Sequence, residues 1–123
     1  MGLMKQVWCD TLEVEVDEQE GYPCVRLHGE GERRGAARLT QEIERLIAAG
    51  QTHVIIDARG VRFLDPTCAQ ALEAAWERLK EEGGTFVLVD HSPPVERTLK
   101  LLGLDQHAHV ASTPSQAIRY LEC

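Results

Sequence analysis

The chain has 123 residues, 43% of them apolar, with 20 acidic side chains against 13 basic ones and a formal net charge of −7. That length suits one domain able to bury about two-thirds of its unfolded surface without disulfides or metals. The acidity and the scatter of the basic residues argue against nucleic acid, since phosphate backbones are held by clustered Lys and Arg. No apolar run approaches the ~20 residues of a membrane span, and residues 1–8 lack the apolar core and cleavage site of a secretory signal. A cytoplasmic domain without membrane insertion is expected, with residues 1–10 as an N-terminal extension.

Residues 11–17 alternate apolar and charged side chains, the period of a half-buried strand, and residues 19–23 then turn the chain. Alternation resumes at Cys24, with Cys24 and Arg26 on one face and Val25 and Leu27 on the other, so the two strands should pair antiparallel. Leu39, Ile43, Leu46 and Ile47 recur at helical spacing up to Gly50, which predicts a helix over about residues 36–49. The β-branched run His53-Val54-Ile55-Ile56-Asp57 reads as a strand covered on both faces and therefore central.

Asp65-Pro66-Thr67 then opens a second helix, with Asp65 as N-cap, Pro66 at the first helical position and Thr67 at the second. Its apolar stripe is Ala69, Leu72, Trp76 and Leu79, and Gly83-Gly84 stops it. Residues 85–90 form another buried strand. Ser92-Pro93-Pro94 starts a helix carrying Val95, Leu99 and Leu102, closed by Gly103. His109-Val110-Ala111-Ser112 reads as a short edge strand, and Thr113-Pro114 caps a last helix through Ala117, Ile118 and Leu121. The order predicts an α/β domain: one mixed sheet of about five strands, with four helices packed mainly on one face.

Candidate chemistry is sparse. Cys9, Cys24, Cys68 and Cys123 have neither CxxC spacing nor a zinc-like His pattern, so free, mostly buried thiols are expected and no metal is assigned. In Gly29-Glu30-Gly31-Glu32 carboxylates stand where a nucleotide's phosphates would approach, and no cofactor is assigned. Cys68 sits at a helix N-terminus, where a thiol can be activated, but the five scattered histidines offer it no identifiable base. Asp57 and Asp65 are two carboxylates whose separation the sequence does not set; satisfying loop amides and capping a helix are their simpler roles.

The stretch Val54-Ile55-Ile56-Asp57, a short loop, Phe63-Leu64 and then Asp65-Pro66-Thr67-Cys68 resembles the signature of STAS domains, in which an Asp is followed by two hydroxyl residues and a Gly. Gly29-Glu30-Gly31-Glu32 upstream, and Pro94-Val95 with Leu101-Leu102-Gly103-Leu104 downstream, are similar to further stretches of that family, so the resemblance runs from about residue 11 to the end of the chain. It implies a single STAS-like domain over residues 1–123 and a non-enzymatic switch protein of the anti-sigma factor antagonist kind. Such a protein binds an anti-sigma factor that doubles as a serine/threonine kinase, is released by phosphorylation and is reset by a phosphatase.

Thr67 falls on the phosphorylated position, Pro66 on the first hydroxyl and Cys68 on the glycine. By the same resemblance the partner-binding surface comprises Asp65, Pro66, Thr67, Cys68, Glu30 and Asp57. The alternative implied is an accessory subunit supporting the ATPase of a lipid or solute transporter.

Overall fold

The computed structural model describes residues 13–31, 33–64, 66–90, 97, 99, 100, 103 and 109–122. Its first strand, β1 (Glu13–Gln19), pairs antiparallel with β2 (Tyr22–Gly31). The connection is a two-residue turn in which Glu20 and Gly21 both take positive φ, 49° and 88°. That is the turn whose twist matches a right-handed hairpin. Helix α1 (Arg33–Ala48) leads to β3 (His53–Leu64), helix α2 (Pro66–Glu81) to β4 (Thr85–Val89), and β5 (His109–Ala111) to helix α3 (Pro114–Glu122).

The sheet order is β1-β2-β3-β4-β5, every pair after the first hairpin being parallel, so β3 is central as its β-branched run requires. Two cores lie on opposite faces. Val25, Leu27, Val54, Ile56 and Leu88 meet Leu39 and Ile43 of α1 and Leu72 and Leu79 of α2 on one face. Cys24, Ile55, Val87 and Val89 meet Ala117, Ile118 and Leu121 of α3 on the other. The two long helices thus share one face, and the short C-terminal helix covers part of the second.

Helices α1 and α2 end alike. Gln51 N–H donates to Leu46 O (2.9 Å) and Gly50 N–H to Ile47 O (2.9 Å), while Gly84 N–H donates to Leu79 O (2.8 Å) and Gly83 N–H to Lys80 O (3.0 Å). Each is a Schellman ending, which needs a left-handed residue, and Gly50 and Gly83 supply it at φ 79° and 80°.

Two expectations meet limits here. The helix expected after residues 92–94 falls largely outside the described residues; Arg97, Leu99 and Lys100 are helical, and Leu99 is buried against the two-helix core. The central strand, expected to end at Asp57, runs on to Leu64. Beyond Asp57 it stays paired with β2 through two register shifts, Arg26↔Asp57 giving way to His28↔Gly60 and Gly29↔Val61 to Glu30↔Phe63. Each shift places one extra residue in β3, a β-bulge. This explains how Ala58 and Val61, three apart, both reach the same core.

Candidate functional site

The parallel pair β2/β3 ends with Glu30 opposite Phe63 and Gly31 opposite Leu64, and α2 starts two residues later at Pro66. Pro66 suits the first helical position, whose N–H has no helical partner. Pro66 and Thr67 are both exposed. The first turn of this 16-residue helix carries no acidic side chain. A hydroxyl therefore stands in water at the positive end of a helix dipole, the environment that best tolerates an added phosphate.

Cys68 is turned the other way. It has 0% exposure and packs in the core shared by α1 and α2. Its place in the expected partner-binding surface is accordingly corrected: the side chain that replaces the family's glycine points inward, so it adds no bulk beside Thr67. A thiol enzyme is likewise poorly served by a nucleophile without accessible surface. Asp65 lies outside the described residues. Glu30 is placed by its backbone, opposite Phe63 and so at the same strand ends as Thr67.

Asp57 belongs to a different region. From Asp57 to Leu64 the bulged strand keeps pace with only five residue steps of β2, Arg26 to Gly31, roughly 17 Å at about 3.3 Å per step, so Asp57 and Thr67 do not form one site. The carboxylate is 7% exposed and takes three hydrogen bonds from Arg59. The Arg59 backbone N–H donates to Oδ1 at 3.1 Å, Nε to the same oxygen at 3.0 Å and Nη2 to Oδ2 at 2.8 Å. Burial alone would push this carboxyl up. The bonds from Arg59 and the charges of Arg59 and Arg26 outweigh it, and Asp57 is held below its usual value. Satisfying a downstream amide is the role its sequence position suggested.

Arg59, Arg26 and His28 escaped the sequence reading as functional residues. With Leu27, Asp57 and Gly60 they line an open depression on the sheet face that carries α3. The signal was the alternation itself, which sets Cys24, Arg26 and His28 on one face of β2. Cys24 is fully buried there, and burial, then the neighbouring Asp57 charge, push its thiol up. Neither Cys24 nor Cys68 is in a disulfide; Cys9 and Cys123 lie outside the described residues. Among the described residues no group of three or more His, Cys, Asp and Glu side chains is placed to hold a metal ion. No helix among them is long and apolar enough to cross a membrane.

The comparisons with known proteins agree with this geometry. A family model described as "Mlab, STAS domain" matches residues 14–113. The chain is 23% identical over 113 residues to the anti-sigma F factor antagonist of Paenibacillus polymyxa, with 91% of this chain and 97% of that protein covered. A crystal structure of an anti-sigma factor antagonist from Mycobacterium paratuberculosis superposes with a TM-score of 0.83 at 28% identity, over 94% of this chain and 97% of that one. The phosphorylated form of the Bacillus cell fate determinant SpoIIAA, 20% identical, shares the fold with a TM-score of 0.69 over 88% of this chain and 98% of that one.

Proposed function

This chain belongs to the STAS domain family, and from that premise we propose that it is an anti-sigma factor antagonist: a cytoplasmic binding protein, not an enzyme, switched by phosphorylation of Thr67. The observation that carries the reading is an exposed Thr67 hydroxyl in the first turn of α2, at the strand ends that also hold Glu30. The names of the relatives from Paenibacillus and Mycobacterium support it, and a phosphorylated form of SpoIIAA supports the modification.

The energetics suit a switch. A phosphate adds about −1.5 to −2 charges, and at a helix N-terminus the dipole returns about 0.3–1 kcal/mol. The free protein therefore carries it without unfolding. At an interface the phosphate loses water, and the Asp65 carboxylate is two residues away in sequence. Two charges against one at ~6 Å and an effective dielectric of 20 repel by roughly 5 kcal/mol, set against about 8 kcal/mol for a micromolar complex. The unmodified protein binds its anti-sigma factor kinase, the modified protein lets go, and a phosphatase resets it.

Incubation with the cognate kinase and ATP tests this. One phosphate on the wild-type chain and none on Thr67→Ala is the expected result, together with loss of binding by Thr67→Glu. No transfer and unchanged binding by Thr67→Glu would overturn it. The accessory-subunit reading draws on Pro66 and Cys68, which depart from the family's switch sequence. Stable co-purification with a transporter ATPase, indifferent to Thr67→Glu, would favour it.

A further inference from the structure

The helix α3 covers the second face of the sheet from Cys24 and Ile55 to Ala111, leaving charged side chains uncovered beside it on β1, β2 and the bulged part of β3. There lies an open depression of about 590 Å³, lined by Arg26, Leu27, His28, Asp57, Arg59 and Gly60. Its volume is within the range of small-molecule sites. Gly60 shapes the floor: a Cβ there would stand 2.6 Å from His28 Nδ1 and 3.1 Å from Leu27 O, so the imidazole lies where a side chain would be.

The charges around it are not equally committed. Arg59 is fixed by two side-chain bonds to the buried Asp57 carboxylate, 2.8 and 3.0 Å long. A guanidinium has five N–H donors in a planar fork, and Nε and one Nη2 hydrogen serve Asp57; the remaining donors are left for a ligand. Arg26 meets Asp17 at 3.3 Å and His28 meets Glu15 at 3.8 Å. Those two carboxylates are 52% and 63% exposed. Such wet contacts contribute little, so a ligand can take over the Arg26 guanidinium and leave the Asp17 carboxylate in water. One cation, Arg59, is thus preorganised by a buried carboxylate, a second, Arg26, is held only by an exposed one, and His28 adds ring nitrogens at the rim.

From this asymmetry we propose that the depression is a binding site for a small oxyanion, a phosphate or a carboxylate, held by Arg59 and Arg26 with His28 at the rim. Arg59 presents its free edge bidentately, the geometry that suits planar carboxylates and phosphate oxygens. Asp57 is the positioning residue that aims it. The site lies roughly 17 Å along β3 from the start of the switch helix and does not rest on the reading of Thr67.

Inorganic phosphate and acetate, each titrated against the ¹⁵N-labelled full chain at constant ionic strength with chloride as the balancing ion, test the site. The expected result is a saturable shift of the Arg59 Nε–H and Gly60 amide signals, with a dissociation constant on the order of 1 mM. The affinity should fall at least about tenfold in Arg59→Gln, which removes the charge-assisted bidentate donor. Arg26→Gln, which leaves the Asp57–Arg59 pair intact, should weaken binding several-fold and guards against a folding defect in the first variant. Saturation by phosphate alone assigns a tetrahedral oxyanion, and saturation by acetate as well assigns oxyanions generally. Shifts that are linear and match the chloride control, or titrations identical in wild type and both variants, would overturn the proposal.

Discussion

The two ends of β3 treat charge in opposite ways. At Asp57 a carboxylate and a guanidinium are locked together beside the buried thiol of Cys24, with every carboxylate oxygen bonded. At the start of α2 an uncharged hydroxyl faces water above a first turn free of acidic side chains. Fixed charge holds a shape, whereas an empty, dipole-favoured position can accept charge and have its meaning changed by it. A switch belongs at the second kind of place.

The largest expected effect lies between two adjacent residues of the same helix turn. Cys68→Asp places a carboxylate in the core that Cys68 now fills and should cost about 3–5 kcal/mol, the scale of an uncompensated buried charge. Thr67→Asp, one residue earlier, should change stability by less than about 0.5 kcal/mol, as exposed substitutions do. Urea unfolding of both variants checks this, and equal losses would erase the inward–outward distinction.

Next in size is the fixed pair. Arg59→Ala leaves the Asp57 carboxylate buried with a single backbone donor and should lower stability by about 1.5–3 kcal/mol, the scale of bonds to charged groups. Asp57→Asn should cost less, because an amide oxygen can still accept from the Arg59 amide. Thermal unfolding of the two variants side by side would show the order.

The smallest effect is a pH dependence, and its sign follows from the direction of the Asp57 shift. The folded-state carboxyl is held below its ordinary value of 3.8, so the unfolded chain takes up protons first as pH falls. The stabilisation is therefore fully present above that ordinary value and is lost as pH falls through it toward the lower folded-state value. Wild type should exceed Asp57→Asn in urea midpoint by a constant margin well above pH 3.8, and the gap should narrow as pH falls below it. A gap that persists at the acid end would mean that Asp57 acts by packing rather than by charge.

Much of this architecture was legible because local chemistry fixed it. Alternation placed Val25 and Leu27 opposite Cys24 and Arg26, and Gly50 and Gly83 marked the helix ends where a left-handed residue was required. The length of β3 was not legible. Its bulges arise from pairing with β2, some thirty residues away, and a strict two-residue period breaks between Ala58 and Val61. The inward turn of Cys68 was legible in principle: it stands four residues before Leu72 and eleven before Leu79, on the buried stripe. A family signature drew attention to its neighbour instead. The Arg59–Asp57 geometry depends on the same bulge, so the charged depression stayed hidden until the register was known.

Calorimetric titration of the anti-sigma factor kinase with the unmodified chain and with the chain phosphorylated at Thr67 tests the central claim most directly. The account predicts tight binding of the first and an affinity at least ~100-fold lower for the second, a difference of about 2.7 kcal/mol. Equal affinities for the two forms would contradict it.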